Sequence, residues 1–162
     1  MSSSTQIAIA LGSNIGDRES HLAFAASRLA AFCDGLCLSP AYETDPVDVR
    51  GIQSPFLNAA ATAWTTLSAR STLERLLAIE RERGRERPYP GAARTLDLDL
   101  ILFGDVVMHE AGLTIPHPRF RERSFVLDPL AEIAPMLRDP VSGLTVGQLL
   151  ANLRPGTPAP RR

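Results

Sequence analysis

The run Arg94-Thr95-Leu96-Asp97-Leu98-Asp99-Leu100 alternates apolar and acidic residues, the pattern of a strand with one anionic face. Residues two apart project from the same face. Asp97 and Asp99 therefore stand about 6.5–7 Å apart along the strand, while Leu96, Leu98 and Leu100 pack on the other side. Octahedral Mg²⁺ takes one or two protein carboxylates and fills its other positions with water and nucleotide phosphates, so the pair can serve as a platform for two ions. Plain solvation of a sheet face explains the same alternation, and the choice rests on the surrounding residues.

Several other groups suit a nucleotide site. Arg85, Arg87 and Arg94 flank the loop before the acidic strand, where planar guanidinium forks can clamp triphosphate oxygens. Pro116-His117-Pro118 with Arg119, Arg121 and Arg123 forms a second basic group. Phe56 and Asn58 share one face of a strand, a stacking ring beside an amide that both donates and accepts. Each has a duller explanation: a solvated loop, a structural histidine, or core packing with an edge hydrogen bond.

The chain has 162 residues, 44% hydrophobic and 22% charged, with a net charge of −1; this suits one domain and gives no basic surface for nucleic acid. All 17 basic residues are arginine, which excludes a P-loop lysine and a lysine Schiff base. The opening apolar run Ile7 to Leu11 is too short to span a membrane and has no export signature, so a cytoplasmic protein is expected. Cys33 and Cys37 read as reduced, semi-buried thiols.

The elements that must position these groups follow from periodicity. Gln6–Leu11 reads as a buried strand, and Gly12 to Asp17 turns it into a helix carrying Leu22, Phe24, Ala25, Leu29 and Phe32. That glycine turn has neither P-loop nor dinucleotide spacing and reads as structural, with Asn14 within reach of a ligand. Strands are predicted at Cys37 to Glu43 and Phe56 to Thr66, separated by a long stretch from Thr44 to Pro55. A capping box at Ser71-Thr72-Leu73-Glu74 opens a second helix ending near Gly84. The acidic strand runs on through Phe103, Gly104-Asp105 turns into Val106–Met108, and residues 113–118 are extended. Helices are predicted at Asp128 to Met136 and after Thr145, whose Gln148 completes a capping box. One α+β domain over residues 1–154 results, with a mostly antiparallel sheet and a disordered tail over 155–162.

The order of these pieces resembles the 6-hydroxymethyl-7,8-dihydropterin pyrophosphokinase family. The resemblance spans Ile7 to about Leu150. It is carried by Ala10–Asn14, Tyr42-Glu43-Thr44-Asp45-Pro46, Phe56-Leu57-Asn58-Ala59, Glu80 with Gly84-Arg85, Arg94 to Asp99, and Ile115–Arg119 through Arg123–Leu127. It implies a ferredoxin-like three-layer α/β/α sandwich and a transfer of pyrophosphate from ATP to the pterin alcohol in folate biosynthesis, giving the pterin diphosphate and AMP. By the same resemblance, Asp97 and Asp99 hold two Mg²⁺ ions, and Phe56 and Phe125 sandwich the pterin. Asn58 and the backbone near Thr44 read its polar edge, and Pro46 and Val47 line the pocket. Glu80, Arg87, Arg94, Leu100, Thr114, His117 and Arg123 match the ATP side, while Arg85 and Arg94 meet the transferring phosphates. Some members carry a tryptophan shortly before the arginine matching Arg94; here Pro90-Gly91-Ala92-Ala93 stands there, leaving Tyr89 as the available aromatic cover.

Such a transfer asks the protein to align the hydroxyl with the β-phosphorus and neutralise phosphate charge, so no side-chain base is assigned. The loops at 44–55 and 84–93 are expected to close over ATP, and the enzyme to act as a monomer. Two alternatives stay open: a palm-like nucleotidyl transferase or cyclase, which needs no Phe56, Asn58 or Phe125, and a non-catalytic ferredoxin-like module.

Overall fold

The computed structural model describes residues 3–44, 55–84 and 95–154, with the opening strand at its centre. β1 (Thr5–Ser13) sends Ile7, Ile9 and Leu11 to one face and Ala8, Ala10 and Gly12 to the other. The bulky face needs a thick apolar layer. Helices α1 (Arg18–Ala30) and α2 (Ala69–Glu82) supply it through Leu22, Ala25, Leu29, Leu76 and Ile79. The alanine face lets α3 (Ser124–Ile133) and α4 (Val146–Leu153) come close, and Val126, Leu127, Leu130, Leu149 and Leu150 fill that second core.

β4 (Phe56–Thr65) and β5 (Asp97–Phe103) flank β1, both antiparallel to it. β2 (Asp34–Leu38) and β3 (Tyr42–Thr44) lie along the outer edge of β4, also antiparallel. With β2 and β3 taken as one interrupted strand, this is the split βαβ order of the ferredoxin-like sandwich, as expected. β6 (Met108–Glu110) and β7 (Leu113–Ile115) form a separate hairpin, with Leu113 and Ile115 buried in the first core.

Local chemistry shifts several predicted boundaries. The strand expected over Cys37 to Glu43 breaks at Ser39-Pro40-Ala41, because Pro40 has no N–H for the ladder. Ser39 bridges the gap: its N–H donates to the Ala60 carbonyl at 2.8 Å and its hydroxyl accepts the Ala60 N–H at 2.9 Å. The second helix begins a turn before the predicted capping box, since Ser68 is the N-cap and its hydroxyl accepts the Ser71 N–H. α3 starts at Ser124, not Asp128; burial of Val126 and Leu127 carries the helix through Pro129, and Pro135 follows its end. Met136, expected inside it, is 75% exposed. The capping box at Thr145 and Gln148 is present. Cys33 is buried and Cys37 exposed, both unbridged, so neither is semi-buried as expected. The tail at 155–162 lies outside the described residues.

Candidate active site

One row across the sheet brings the two halves of the candidate site together. Tyr42 of β3 lies opposite Asn58 of β4, Asn58 opposite Gly12 of β1, and Gly12 opposite Asp97 of β5. Adjacent strands are about 4.8 Å apart, so the backbones of Asn58 and Asp97 stand about 10 Å apart with glycine between them. A Cβ on Gly12 would lie 3.0 Å from Asn58 Oδ1 and 3.7 Å from the Phe56 ring. The missing side chain leaves a floor between amide and carboxylate, and Phe56 and Asn58 do share one face. Asn58 is 6% exposed, and its Nδ2 donates to the Thr44 hydroxyl, fixing the amide plane. Thr44 thus contributes its side chain here, whereas the resemblance pointed to the backbone near it.

Asp97 and Asp99 lie on this same face, opposite Gly12 and Ala10, while Leu98 and Leu100 enter the first core. Ala8 pairs with Leu102 and Ile9 with Leu100, leaving Ile101 as an extra residue, a β-bulge. Beyond it Ile101 and Leu102 are both buried in the second core. The bulge marks where the strand changes from a half-exposed acidic face to an apolar one. Among the described residues no group of three or more His, Cys, Asp or Glu could hold a metal ion. Two half-exposed carboxylates facing a glycine and an alanine do fit an ion that keeps most of its positions for water and phosphate.

A third wall comes from the chain between β7 and α3. The His117 N–H donates to the Ile101 carbonyl at 3.0 Å, tying this segment to β5 at the bulge. Burial, then the charge of Arg123, hold the His117 imidazole down to about 4 against the pull of Asp97. It is neutral at pH 7. Its Nδ1 accepts the Arg119 N–H at 3.2 Å, so Nε2 carries the proton and is a donor. Arg123 precedes α3, its guanidinium carbon 5.5 Å from the centre of the Phe125 ring. Phe125 packs partly against the second core on the same side of the sheet as Phe56.

Other predicted positions divide. Leu100 buries its side chain in the first core and pairs with Ile9 of β1. Thr114 sits mid-strand in β7, half-exposed between buried Leu113 and Ile115. Glu80 is 2% exposed on α2, where its Oε2 accepts the Leu98 N–H at 2.6 Å. Arg85, Arg87, Arg94, Pro46 and Val47 lie outside the described residues, as do most of the two predicted closing loops.

Sequence reasoning missed the supports. Arg18 donates to the Pro55 carbonyl and to Glu43, both at 2.8 Å, fastening the ends of β3 and β4 that carry Thr44 and Phe56. The Tyr42 hydroxyl donates to Glu132 of α3. Arg121, grouped with the phosphate-facing arginines, instead forks onto Asp139 at 2.6 and 2.9 Å. Burial alone would raise the Asp139 carboxyl, but hydrogen bonds from Arg121, Ser142 and Val141 bring it down to about 2. A cavity of about 300 Å³ lined by Asn14, Ile15, Gly16, Arg18 and Pro55 lies nearby. It shares no lining residue with the Asn58–Asp97 row, so the open sheet face is the better platform.

Residues 8–135 match the family model of 7,8-dihydro-6-hydroxymethylpterin-pyrophosphokinase. The chain belongs to this pyrophosphokinase family. Among its relatives, the 2-amino-4-hydroxy-6-hydroxymethyldihydropteridine pyrophosphokinase of Pseudomonas aeruginosa is 36% identical over 148 residues, 90% of each chain. The protein of that name from Synechocystis sp. is 50% identical over 98 residues, 60% of this chain and 50% of the relative. Plasmodium falciparum HPPK-DHPS, wild type, superposes with a TM-score of 0.74 at 14% identity over 94% of this chain and 45% of its own, a likeness of fold. The protein is therefore a pyrophosphokinase-family transferase, and the palm-like and non-catalytic alternatives are set aside. No helix among the described residues is long and apolar enough to cross a membrane.

Proposed function

We propose that this pyrophosphokinase-family protein moves the terminal pyrophosphoryl group of ATP to the hydroxyl of 6-hydroxymethyl-7,8-dihydropterin, in the cytoplasm, as a monomer whose residues 1–154 form the working domain. The hydroxyl oxygen bonds to the β-phosphorus, the bond to the α-phosphate oxygen breaks, AMP leaves and the hydroxyl proton passes to water. The observation that carries the reading is the row Asn58–Gly12–Asp97: a ring and an amide lie two strands from a carboxylate pair, with a glycine at the strand position between them.

Phe56 and Phe125 stack on the pterin, Asn58 and Thr44 pair with its polar edge, and Pro46 and Val47 line its pocket. Arg123, Arg87 and Thr114 face the nucleotide, with the Leu100 backbone and the Nε2 donor of His117; Glu80 is argued below. Arg85 and Arg94 meet the transferring phosphates, where guanidinium forks offset the charge on the phosphate oxygens. Two Mg²⁺ ions bound by Asp97 and Asp99 would supply charge neutralisation on the phosphate oxygens.

Incubation with ATP, Mg²⁺ and the pterin alcohol, followed by separation of the nucleotides, tests this. AMP should form only when all three are present. ADP as product, or AMP that ignores the pterin, would refute the proposal.

A further inference from the structure

The geometry points to Glu80 as a positioning residue that holds the aspartate strand through the backbone of Leu98. This rests on the reading of Asp97 and Asp99 as the metal-binding pair. Leu98 lies between them, with its side chain buried beside Leu76 and Ile79 of α2. Its N–H turns to the outer edge of β5, where the Glu80 carboxylate accepts it at 2.6 Å from 18 residues away.

An N–H on the edge of a sheet otherwise faces solvent, and such a strand opens locally at low cost. A hydrogen bond donated to the buried Glu80 oxygen removes that freedom at the Asp97–Leu98 peptide. Asp97 and Asp99 leave the backbone one residue either side of Leu98, so the orientation of this peptide sets the direction of both side chains. Glu80 reaches the strand from the α2 side, and the aspartates occupy the opposite face. The required feature is an acceptor oxygen at this reach, whether or not it is charged.

Two variants separate reach from charge. Glu80→Gln keeps the oxygen in place and removes the charge; Glu80→Asp keeps the charge and withdraws the oxygen by one carbon, about 1.5 Å. The readouts are hydrogen exchange at the Leu98 amide and Mn²⁺ binding followed by electron paramagnetic resonance with a non-hydrolysable ATP analogue. Glu80→Gln should keep Leu98 exchange slow and Mn²⁺ affinity within about twofold of wild type. Glu80→Asp should speed exchange and weaken Mn²⁺ about 10-fold, the low end for groups that orient a metal ligand. Equal loss in both variants, or unchanged affinity in Glu80→Asp, overturns the proposal. Asp97→Asn with Asp99→Asn, run in the same assay, isolates the underlying reading: if Mn²⁺ binds as before, the metal pair is misassigned whatever Glu80 does.

Discussion

The sheet face that receives α3 and α4 is two surfaces on the same strands. Toward one end it presents Ala8, Ala60, Ile101 and Leu102, all buried under the helices; toward the other it presents Gly12, Phe56, Asn58, Asp97 and Asp99. The pleat runs through both halves, yet composition changes within two or three residues on β4 and β5, and on β5 the Ile101 bulge sits at the border. The covered half holds the fold together, while the open half keeps polar groups and space that the fold would do better without. Substitutions in one half should therefore spare the property carried by the other.

The sharpest division is expected from Asp97→Asn combined with Asp99→Asn. Removing both charges should lower turnover by at least about 1,000-fold, since one preorganised electrostatic contact alone is worth roughly 100- to 1,000-fold. The melting temperature should stay near wild type, because both side chains stand half-exposed at the open half of the sheet face. A variant that melts well below wild type would mean that the open half also carries the fold. Leu127→Ala makes the reverse change beneath α3, at a residue 0% exposed. A loss of about 2–5 kcal/mol in denaturant unfolding is expected, with turnover per folded molecule near wild type. Should turnover fall in step with stability, the halves are coupled and the comparison breaks.

The two halves also differed in how far the sequence disclosed them. Asp97 and Asp99, like Phe56 and Asn58, are read from a strand's two-residue period, which any seven-residue window contains. The row that joins them is a matter of register between β4, β1 and β5, and no local window holds it. Supports were hidden for the same reason: Tyr42 and Glu132 are 90 residues apart, and Arg18 and Pro55 are 37. Arg121 was misgrouped because its neighbours Arg119 and Arg123 looked alike, and only the fold supplies Asp139. α3 begins at Ser124, four residues before the expected Asp128, because Val126 and Leu127 are buried in the second core, a partner that the local sequence does not contain.

Gly12→Ala tests the floor with a smaller change. Its methyl group would sit 3.0 Å from Asn58 Oδ1, so the amide must shift by a few tenths of an ångström against the Thr44 hydroxyl that now fixes it. A rise of about 10-fold in KM for the pterin is expected, roughly one misplaced hydrogen bond, with KM for ATP within about twofold. Equal rises in both would show that the floor serves the whole site and not its pterin end.

The smallest effect should appear in acid, and it separates the two ways the site's wall is held. His117 is neutral when folded, with its pKa lowered from 6.5 to about 4, so between those values the unfolded chain binds more protons. Stability must then fall as pH drops from 6.5 toward 4. His21, also lowered by burial and by Arg83, adds to the same window. Asp139 has its folded pKa brought down from 3.8 to about 2, so its contribution persists until pH falls through that lower range. Melting temperatures taken across pH should thus show two stages of loss. His117→Asn should flatten part of the upper stage and leave the lower one, because its solvation cost is confined to the open half. Asp139→Asn should do the opposite, since the Arg121 fork anchors the segment from beneath. An upper stage unchanged in His117→Asn would show that the histidine is already hydrated in the folded protein, and that the wall beside Asp97 is more open than its burial implies.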